Sequence, residues 1–245
     1  MYTYIVEAGI NSKKYENELA RIESRLIELE ISGRIEKLTI LKSLKEIIND
    51  ALRNHSETVV LIGSDKIIND AMSTLADADV MIGIIPIGEK NTIATALGIP
   101  NGTAACDILS ARITATLDLG KVNNRYFLSK LYIPSGSNVT LECDNKFQVS
   151  ALTPSTIDIT NFSEESNPRD GHLDVIVRPE AQKRFFGRSS YSNASVFPFK
   201  KLTIRSGSDS LPIMSDGETI IKTPATVEIV PKKLKIIVGK HRKFA

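Results

Sequence analysis

Short apolar runs alternate with helical periodicity from Met1 to about Ala105. Tyr2 to Ala8 has the pattern of a strand, and the apolar positions that follow recur every three or four residues, as on one face of a helix. Thr58 to Ile62 and Val80 to Ile85 are apolar throughout, as strands buried on both faces are. Strands that alternate with helices predict a mainly parallel sheet, so this part is predicted to be an α/β domain.

Two amphipathic helices are predicted between these strands. The first is capped by Asn11 or Ser12 and ends at Ser32-Gly33, and a short strand at Lys37 to Ile40 separates it from the second. The apolar face of the first helix is Tyr15, Leu19, Ile22 and Leu26, and that of the second is Leu44, Ile47, Ile48 and Leu52.

After Cys106 the helical period gives way to short alternating runs, which predict antiparallel strands packed as a β-sandwich-like domain. The predicted domains are therefore 1–106, α/β, and 107–245, β-rich, with the last residues returning to the first domain. A ligand is expected in the cleft between them. The predicted strands are Ile113 to Leu119, Tyr126 to Ile133, Asn138 to Glu142, Phe147 to Leu152, Ser155 to Thr160, Leu173 to Arg178, Lys201 to Arg205 and three more beyond Leu211.

Composition places the chain among folded globular proteins. Of its 245 residues 42% are apolar and 24% are charged, which excludes an intrinsically disordered or collagen-like chain. The formal charge of +2 is too weak to indicate nucleic acid as the main partner. Two cysteines and no apolar leader predict a cytoplasmic protein, and the longest apolar stretch, Val80 to Gly88, is too short to span a bilayer.

The residues that could carry chemistry lie at turns. Gly63-Ser64-Asp65 follows a buried strand and opens a helix, and Gly88 to Asn91 follows the next such strand. Ligands of open parallel sheets bind at these strand ends, and the amides that begin a helix attract anions. Each turn taken alone is also explained as an ordinary capped strand–helix connection.

Two acidic turns follow in the β-rich part. Asp170 and Asp174 flank a turn into a strand, and carboxylates of this kind suit Mg²⁺. Ser215-Asp216-Gly217-Glu218 is a compact acidic hairpin between apolar strands, and Asp-Gly alone is a common hairpin turn.

Taken in order, these turns resemble the diacylglycerol kinase catalytic-domain family, which includes bacterial lipid kinases and sphingosine kinases and shares its architecture with NAD kinases. Gly63 to Ile67 matches the family's Gly-Gly-Asp-Gly-Thr, and Pro86 to Asn91 matches its Pro-x-Gly-Thr-x-Asn. Asp170 to Val175 matches Asp-Gly-x-Leu-Asp-Val, and Asp216-Gly217-Glu218 with Thr223-Pro224 resembles the closing pattern.

The resemblance implies ATP-dependent phosphoryl transfer to a lipid hydroxyl, with ATP and Mg²⁺ as cofactors. It implies that Asp65 lies beside the nucleotide phosphates as a catalytic residue and that Glu218 is the general base. The residues implied in nucleotide binding are Gly63, Ser64, Gly88 and Asn91, and those implied in a magnesium and water network are Asp170 and Asp174.

The chain departs from the family pattern at the nucleotide turns. Lys66 replaces a glycine whose position in the turn favours a left-handed backbone or a close phosphate approach, Ile67 replaces a threonine, and Glu89 replaces another threonine. Val6-Glu7-Ala8-Gly9 stands in place of the family's Asn-Pro opening. These departures favour an alternative, a non-catalytic relative that binds a lipid, another ligand or a protein partner.

The expected partner is a membrane lipid, as substrate or as ligand, with peripheral contact at the inner membrane surface. Two basic and aromatic segments, Lys183 to Arg188 and Lys240 to Phe244, are candidates for that contact, and each is also explained as an exposed loop or a frayed tail. A homodimer is compatible with this interpretation.

Overall fold

The computed structural model describes residues 1–136, 138–162, 166–180, 194–207, 210–215 and 218–244, without the side chains of Asn11, Ser135 and Glu218. The chain forms two compact units. The first comprises 1–117 and 232–245, and the second comprises 118–231. The carboxyl-terminal residues thus belong with the amino-terminal ones, and the boundary expected near Ala105 falls inside a helix.

The first unit is built from alternating strands and helices. Its strands β1, β3 and β4 are buried almost throughout, and the parallel pairing runs in the order β2, β1, β3, β4 and then the end of β16. This confirms the predicted parallel sheet. The elements are β1 (Tyr2–Val6), α1 (Glu16–Glu28), β2 (Gly33–Lys37), α2 (Leu44–Arg53), β3 (Thr58–Gly63), α3 (Asp65–Leu75), β4 (Met81–Pro86), α4 (Thr92–Ala96) and α5 (Ala104–Ala111).

The amphipathic helices bury the faces that the periodicity predicts, although one start differs. Leu19, Ile22 and Leu26 of α1 are buried, as are Ile47 and Ile48 of α2. Helix α2 begins with a complete capping box, in which Ser43 and Glu46 bond each other's backbone amides. Helix α1 begins later than predicted, because two short 3₁₀ turns occupy residues 8–15, so neither predicted cap lies at its N-terminus.

The strand predicted at Lys37 to Ile40 is wrong in position. Strand β2 ends at Lys37, where it pairs with Val6. Residues 39–42 instead form a tight turn, in which the backbones of Thr39 and Lys42 bond each other. The apolar side chain of Ile40 resembles a strand position in the sequence, but it lies outside the core.

The second unit holds two antiparallel sheets, as predicted. One pairs β16, β13, β8 and β9, and the other has the order β12, β11, β10, β7, β14, β15. The strands are β5 (Thr114–Val122), β6 (Arg125–Phe127), β7 (Lys130–Gly136), β8 (Val139–Cys143), β9 (Phe147–Ala151), β10 (Ser155–Thr160), β11 (Leu173–Pro179), β12 (Ser195–Phe199), β13 (Lys201–Ser206), β14 (Pro212–Ser215), β15 (Glu218–Lys222) and β16 (Ala225–Ile237).

An apolar cluster joins the two sheets of the second unit. Ile133 and Ile157 contribute from one sheet, and Leu141 and Ile204 contribute from the other, and all four are fully buried. Alternate residues along each strand face this cluster, as two packed sheets require.

The carboxyl-terminal tail packs onto the first unit. The amide of Gly239 donates to the Leu97 carbonyl, and that of Lys243 donates to the Ala96 carbonyl. Phe244 is nearly buried, so this segment is not a frayed tail. The other basic and aromatic segment, 183–188, lies outside the described residues. Among the residues that are described, no helix is long and apolar enough to cross a bilayer.

Candidate functional site

Two of the predicted turns meet at the carboxyl-terminal edge of the parallel sheet. Strands β3 and β4 end side by side, with Gly63 opposite Pro86. The Ile87 amide donates to the Gly63 carbonyl at 3.1 Å, and the Asp65 amide donates to the Lys90 carbonyl at 3.0 Å. The turn at Gly63-Ser64-Asp65 and the turn at Gly88 to Asn91 therefore form one continuous surface.

The carboxylate of Asp65 holds the second turn against the first. Its Oδ2 accepts hydrogen bonds from the amide and the hydroxyl of Thr92, and its Oδ1 accepts one from the Ile93 amide at 3.0 Å. These donors begin helix α4, so Asp65, the first residue of α3, caps that helix. The side chain is buried, and both of its oxygens bond protein groups. The catalytic role that the resemblance implies for Asp65 stays a prediction.

The amide of Ser64 is bound by a carboxylate that the sequence patterns did not single out as a ligand of this turn. Glu7 follows β1, and its Oε2 accepts hydrogen bonds from the Ser64 amide at 2.7 Å and from the Ser64 hydroxyl at 2.9 Å. A Cβ atom at Gly63 would lie only 2.7 Å from the Cβ of Glu7, so the glycine allows this approach. A negative group at the start of α3 is favourable for the helix dipole.

The residues that depart from the family pattern in this turn have simple structural roles. Lys66 lies in the first turn of α3 with helical backbone, so the expected conflict with a left-handed conformation does not arise. Its ammonium group is exposed and lies 3.7 Å from the Asp70 carboxylate. Ile67 is buried, so this position supplies packing and no hydroxyl.

In the second turn, the side-chain amide of Asn91 lies beside the backbone of the same turn. Gly88 has φ of +86°, a conformation that favours glycine. The Nδ2 of Asn91 donates to the Gly88 carbonyl at 3.0 Å and to the Oδ1 of Asn101 at 3.2 Å. The Oδ1 of Asn91 is buried and has no hydrogen-bond partner among the described residues. This acceptor is available to a ligand that donates a hydrogen bond.

Glu89 is exposed at the tip of the same turn. Nearby, the pKa of Lys14 is raised, first by its hydrogen bond with Tyr15 and further by the charge of Glu89. Glu89 is therefore close enough to act on the ammonium group of Lys14.

An apolar groove of about 600 Å³ adjoins the Asn91 turn through Asn101. Its size is within the range of small-molecule sites. Asn101 both lines the groove and accepts the hydrogen bond from Asn91. The lining residues are Thr95, Gly98, Ile99, Pro100, Asn101, Ile108, Ala111, Ile113, Val238, Lys240 and His241.

Asp170 and Asp174 lie in the second unit, on the turn into β11. The Oδ1 of Asp170 accepts from the His172 amide at 2.9 Å, which closes the turn, and the Oδ2 of Asp174 accepts from the Ser166 hydroxyl at 2.8 Å. The buried carboxylate of Asp118 accepts from the Gly171 amide at 2.8 Å. Local hydrogen bonds thus hold these carboxylates in place.

Within the described ranges, no three His, Cys, Asp or Glu side chains are arranged to hold a metal ion. Asp170 and Asp174 each have one oxygen engaged by a protein donor. The described donors therefore do not fit a magnesium ion held by the protein alone. Mg²⁺ commonly uses one or two carboxylates together with substrate phosphates and water.

The predicted general base, Glu218, has its side chain outside the described part of the structure. Asp216 and Gly217 lie outside the described residues, and Glu218 begins β15 with a side chain that is not described. The structure thus brings Gly63, Ser64, Asp65, Gly88 and Asn91 together in the first unit, while Asp170, Asp174 and Glu218 belong to the second.

The family model of the diacylglycerol kinase catalytic domain matches residues 4–122, the segment that holds both joined turns. This segment, just under half of the chain, is therefore similar to the diacylglycerol kinase catalytic domain. Diacylglycerol kinases of Staphylococcus aureus strains JH9 and Newman are 30% identical to it over 110 residues, which is 44% of this chain. The match spans only 32% of the length of these relatives.

Solved structures share the whole fold of this chain. A diacylglycerol kinase from Bacillus anthracis superposes with a TM-score of 0.80 over 98% of this chain and 97% of its own, at 17% identity. A second structure from the same organism gives a TM-score of 0.79 over 98% of both chains, also at 17% identity. The fold of both units is therefore that of these proteins.

Sequence reasoning recorded Glu7 as a departure from the family opening but did not connect it with Ser64. The signal that could have found it is the parallel pairing of β1 and β3, in which Val6 lies opposite Ile62, so that Glu7 comes opposite Gly63 and next to Ser64. Asn101 was missed as well, because nothing near it in the sequence shows that it reaches Asn91.

Proposed function

We propose that this chain is a lipid kinase of the diacylglycerol kinase type, which transfers a phosphoryl group from ATP to the hydroxyl of a membrane lipid. The observation that supports this most is the joining of the two family turns at one sheet edge, through the hydrogen bond from the Asp65 amide to the Lys90 carbonyl. Phosphoryl transfer depends mostly on positioning and on charge, which a fixed pair of turns supplies.

In the proposed reaction, the lipid hydroxyl oxygen bonds to the γ-phosphorus of ATP, and the bond to the β–γ bridging oxygen breaks to release ADP. The hydroxyl proton passes to a base, the role that the resemblance gives to Glu218. Ser64 and Lys66 face the phosphates at the start of α3, and Asn91 orients the nucleotide. In this proposal Mg²⁺ binds together with ATP and reduces the negative charge of the phosphates.

The apolar groove supports a lipid as the acceptor. Its walls are mainly aliphatic, with Ile99, Ile108 and Ile113 among them, and such a surface suits a hydrocarbon chain better than a polar metabolite. Asn101 connects the groove to the Asn91 turn, so a chain bound there would have its polar end near the site of transfer.

A second candidate function is nucleotide-independent lipid binding, and the position of Glu7 favours it. The Glu7 carboxylate takes the Ser64 amide, which a phosphate would otherwise use. A carboxylate about 4 Å from a phosphate oxygen costs roughly 4 kcal/mol at an effective dielectric constant of about 20. ATP therefore binds strongly only if Glu7 moves away.

Calorimetric titration with ATP, with and without Mg²⁺, separates the two candidates. The kinase proposal expects metal-dependent binding, followed by transfer of labelled phosphate to lipid in vesicles. If neither the wild-type protein nor Glu7→Gln binds ATP at millimolar concentration, the kinase proposal is wrong and lipid binding without nucleotide is the function to pursue. The cytoplasmic location and a homodimer stay predictions.

A further inference from the structure

We propose that the turn at residues 39–42, here called the aliphatic tip, inserts into the surface of an anionic lipid bilayer. Ile40 is 104% exposed and Leu41 is 95% exposed, relative to a free side chain. Two adjacent aliphatic side chains held fully in water make no contribution to the core. Exposed apolar groups of this kind commonly mark a binding surface.

The backbone presents these side chains outward. The chain leaves β2 at Lys37, and the Leu38 amide still bonds the Val6 carbonyl at 3.0 Å. One residue later the turn closes, with the Lys42 amide donating to the Thr39 carbonyl at 3.3 Å. Ile40 and Leu41 occupy the two central positions of this turn and therefore project beyond the edge of the sheet.

The charges around the aliphatic tip suit an anionic surface. Lys37 and Lys45 are exposed on either side of it. The acidic groups nearby are Glu36, Asp50 and Glu46. These are engaged locally, because Lys42 lies 2.9 Å from Glu36 and 3.7 Å from Asp50, while Glu46 completes the capping box of α2. Lysines beside an apolar anchor strengthen attachment to anionic lipid.

The position of the tip also connects it with the candidate site. Strand β2 is parallel to β1, and the last paired residues are Lys37 and Val6. The aliphatic tip and Glu7 therefore follow neighbouring strand ends at the same edge of the sheet. A bilayer that holds the tip lies at the edge where the two family turns meet, which would keep the lipid acceptor close to them.

This inference deepens the proposed function by naming the surface that meets the lipid. Its test needs no nucleotide, so its failure is distinguishable from failure of phosphoryl transfer. Sedimentation of the full chain is measured with vesicles of phosphatidylcholine mixed with phosphatidylglycerol, and with vesicles of phosphatidylcholine alone. The wild-type protein should sediment with the mixed vesicles and only weakly with the neutral ones.

The double substitution Ile40→Asp and Leu41→Asp should weaken binding to the mixed vesicles at least about tenfold, because two apolar side chains lose their favourable transfer. The matched control is Ile27→Asp on α1 of the same unit, where the aliphatic side chain is 67% exposed. The control should bind like the wild type. Equal binding by the double variant, or equal loss in both variants, would overturn the proposal.

Fluorescence gives an independent measurement, because the chain contains no tryptophan. Leu41→Trp places a single reporter in the aliphatic tip, and Ile27→Trp places one outside it. Mixed vesicles should shift the emission of the first to shorter wavelength and leave that of the second unchanged. An unchanged emission from Leu41→Trp on vesicle-bound protein would show that the tip stays in water and would exclude the insertion.

Discussion

The carboxylate of Glu7 accepts hydrogen bonds from both the backbone amide and the hydroxyl of Ser64, at 2.7 and 2.9 Å. Ser64 is the N-cap of α3, the helix that follows the first family turn. The chain thus supplies its own anion at the place where the family resemblance puts a phosphate. The Glu7 carboxylate thus stabilises the turn and at the same time repels the phosphate that is proposed to bind there.

Substitution of Glu7 should separate these two effects. Glu7→Gln keeps an acceptor for Ser64 but removes the charge, so ATP should bind at least about tenfold more tightly in calorimetry. The free energy of unfolding should fall by about 1 kcal/mol, since the favourable interaction with the helix dipole is lost. Glu57→Gln, at an exposed site before β3, is the control. Unchanged ATP affinity in Glu7→Gln would show that phosphate does not use the Ser64 amide.

Asp65 should matter for stability whether or not it takes part in catalysis. Asp65→Ala removes the acceptor for the Thr92 and Ile93 amides and leaves the buried Ile93 amide unpaired, so urea unfolding should show a loss of about 2 kcal/mol. Asp70→Ala, on the exposed face of the same helix, should cost less than about 0.5 kcal/mol. Equal losses in the two variants would show that Asp65 does not cap α4.

The free energy of unfolding should fall at alkaline pH because the thiol of Cys106 is buried. Burial first, and the neighbouring charge of Asp107 next, raise the pKa of the Cys106 thiol from 9.0 to about 11. The unfolded thiol ionises near pH 9 while the native thiol stays neutral, so the free energy of unfolding declines as pH rises from about 9 to 11.

The variant Cys106→Ala, unfolded by urea at several pH values, measures this contribution. Its stability should be lower overall, because a buried side chain is shortened, but it should depend less on pH above about 9. The expected difference in decline is roughly 2 kcal/mol across the window. Parallel curves for the two proteins would contradict the raised pKa.

The groove beside Asn101 should control the use of lipid without affecting nucleotide. Ala111 ends α5 and lines the groove, so Ala111→Trp fills part of its volume. The KM for lipid should rise about tenfold with the KM for ATP unchanged, because only the apolar contact is lost. Ser110→Trp, one residue earlier, does not face the groove and serves as the control. An equal effect in both variants would show that the groove does not bind the lipid.

Most of the fold could be predicted because the buried strands have an unmistakable pattern. Strand β10 was predicted with its observed bounds, Ser155–Thr160, since its apolar positions alternate regularly. Strand β12, Ser195–Phe199, was missed, because Pro198 and the polar residues before the strand give no such alternation. The strand predicted at Lys37 to Ile40 is displaced for another reason: β2 ends at Lys37, and Ile40 lies exposed in the turn that follows.

Only those parts of the candidate site that lie within a local sequence motif could be predicted. The two family turns were identified, and the structure joins them. Glu7 and Asn101 act across the sheet and between loops, so their contacts depend on strand order and loop shape, which no local pattern specifies. The same limit applies to Asp65, whose residue type predicts a charged site but not which donors its carboxylate binds.

Because the chain returns to its first unit at the end, that unit can be completed only late in synthesis. Strand β16 supplies Ile236 as the partner of Ile82 on β4, and that residue is translated only after the whole of the second unit, 118–231. A nascent chain that stops at residue 117 therefore leaves the edge of β4 unpaired. Such an edge is a template for pairing with other chains, so ribosome-bound intermediates of this protein should depend on chaperones until the last strand has left the exit tunnel.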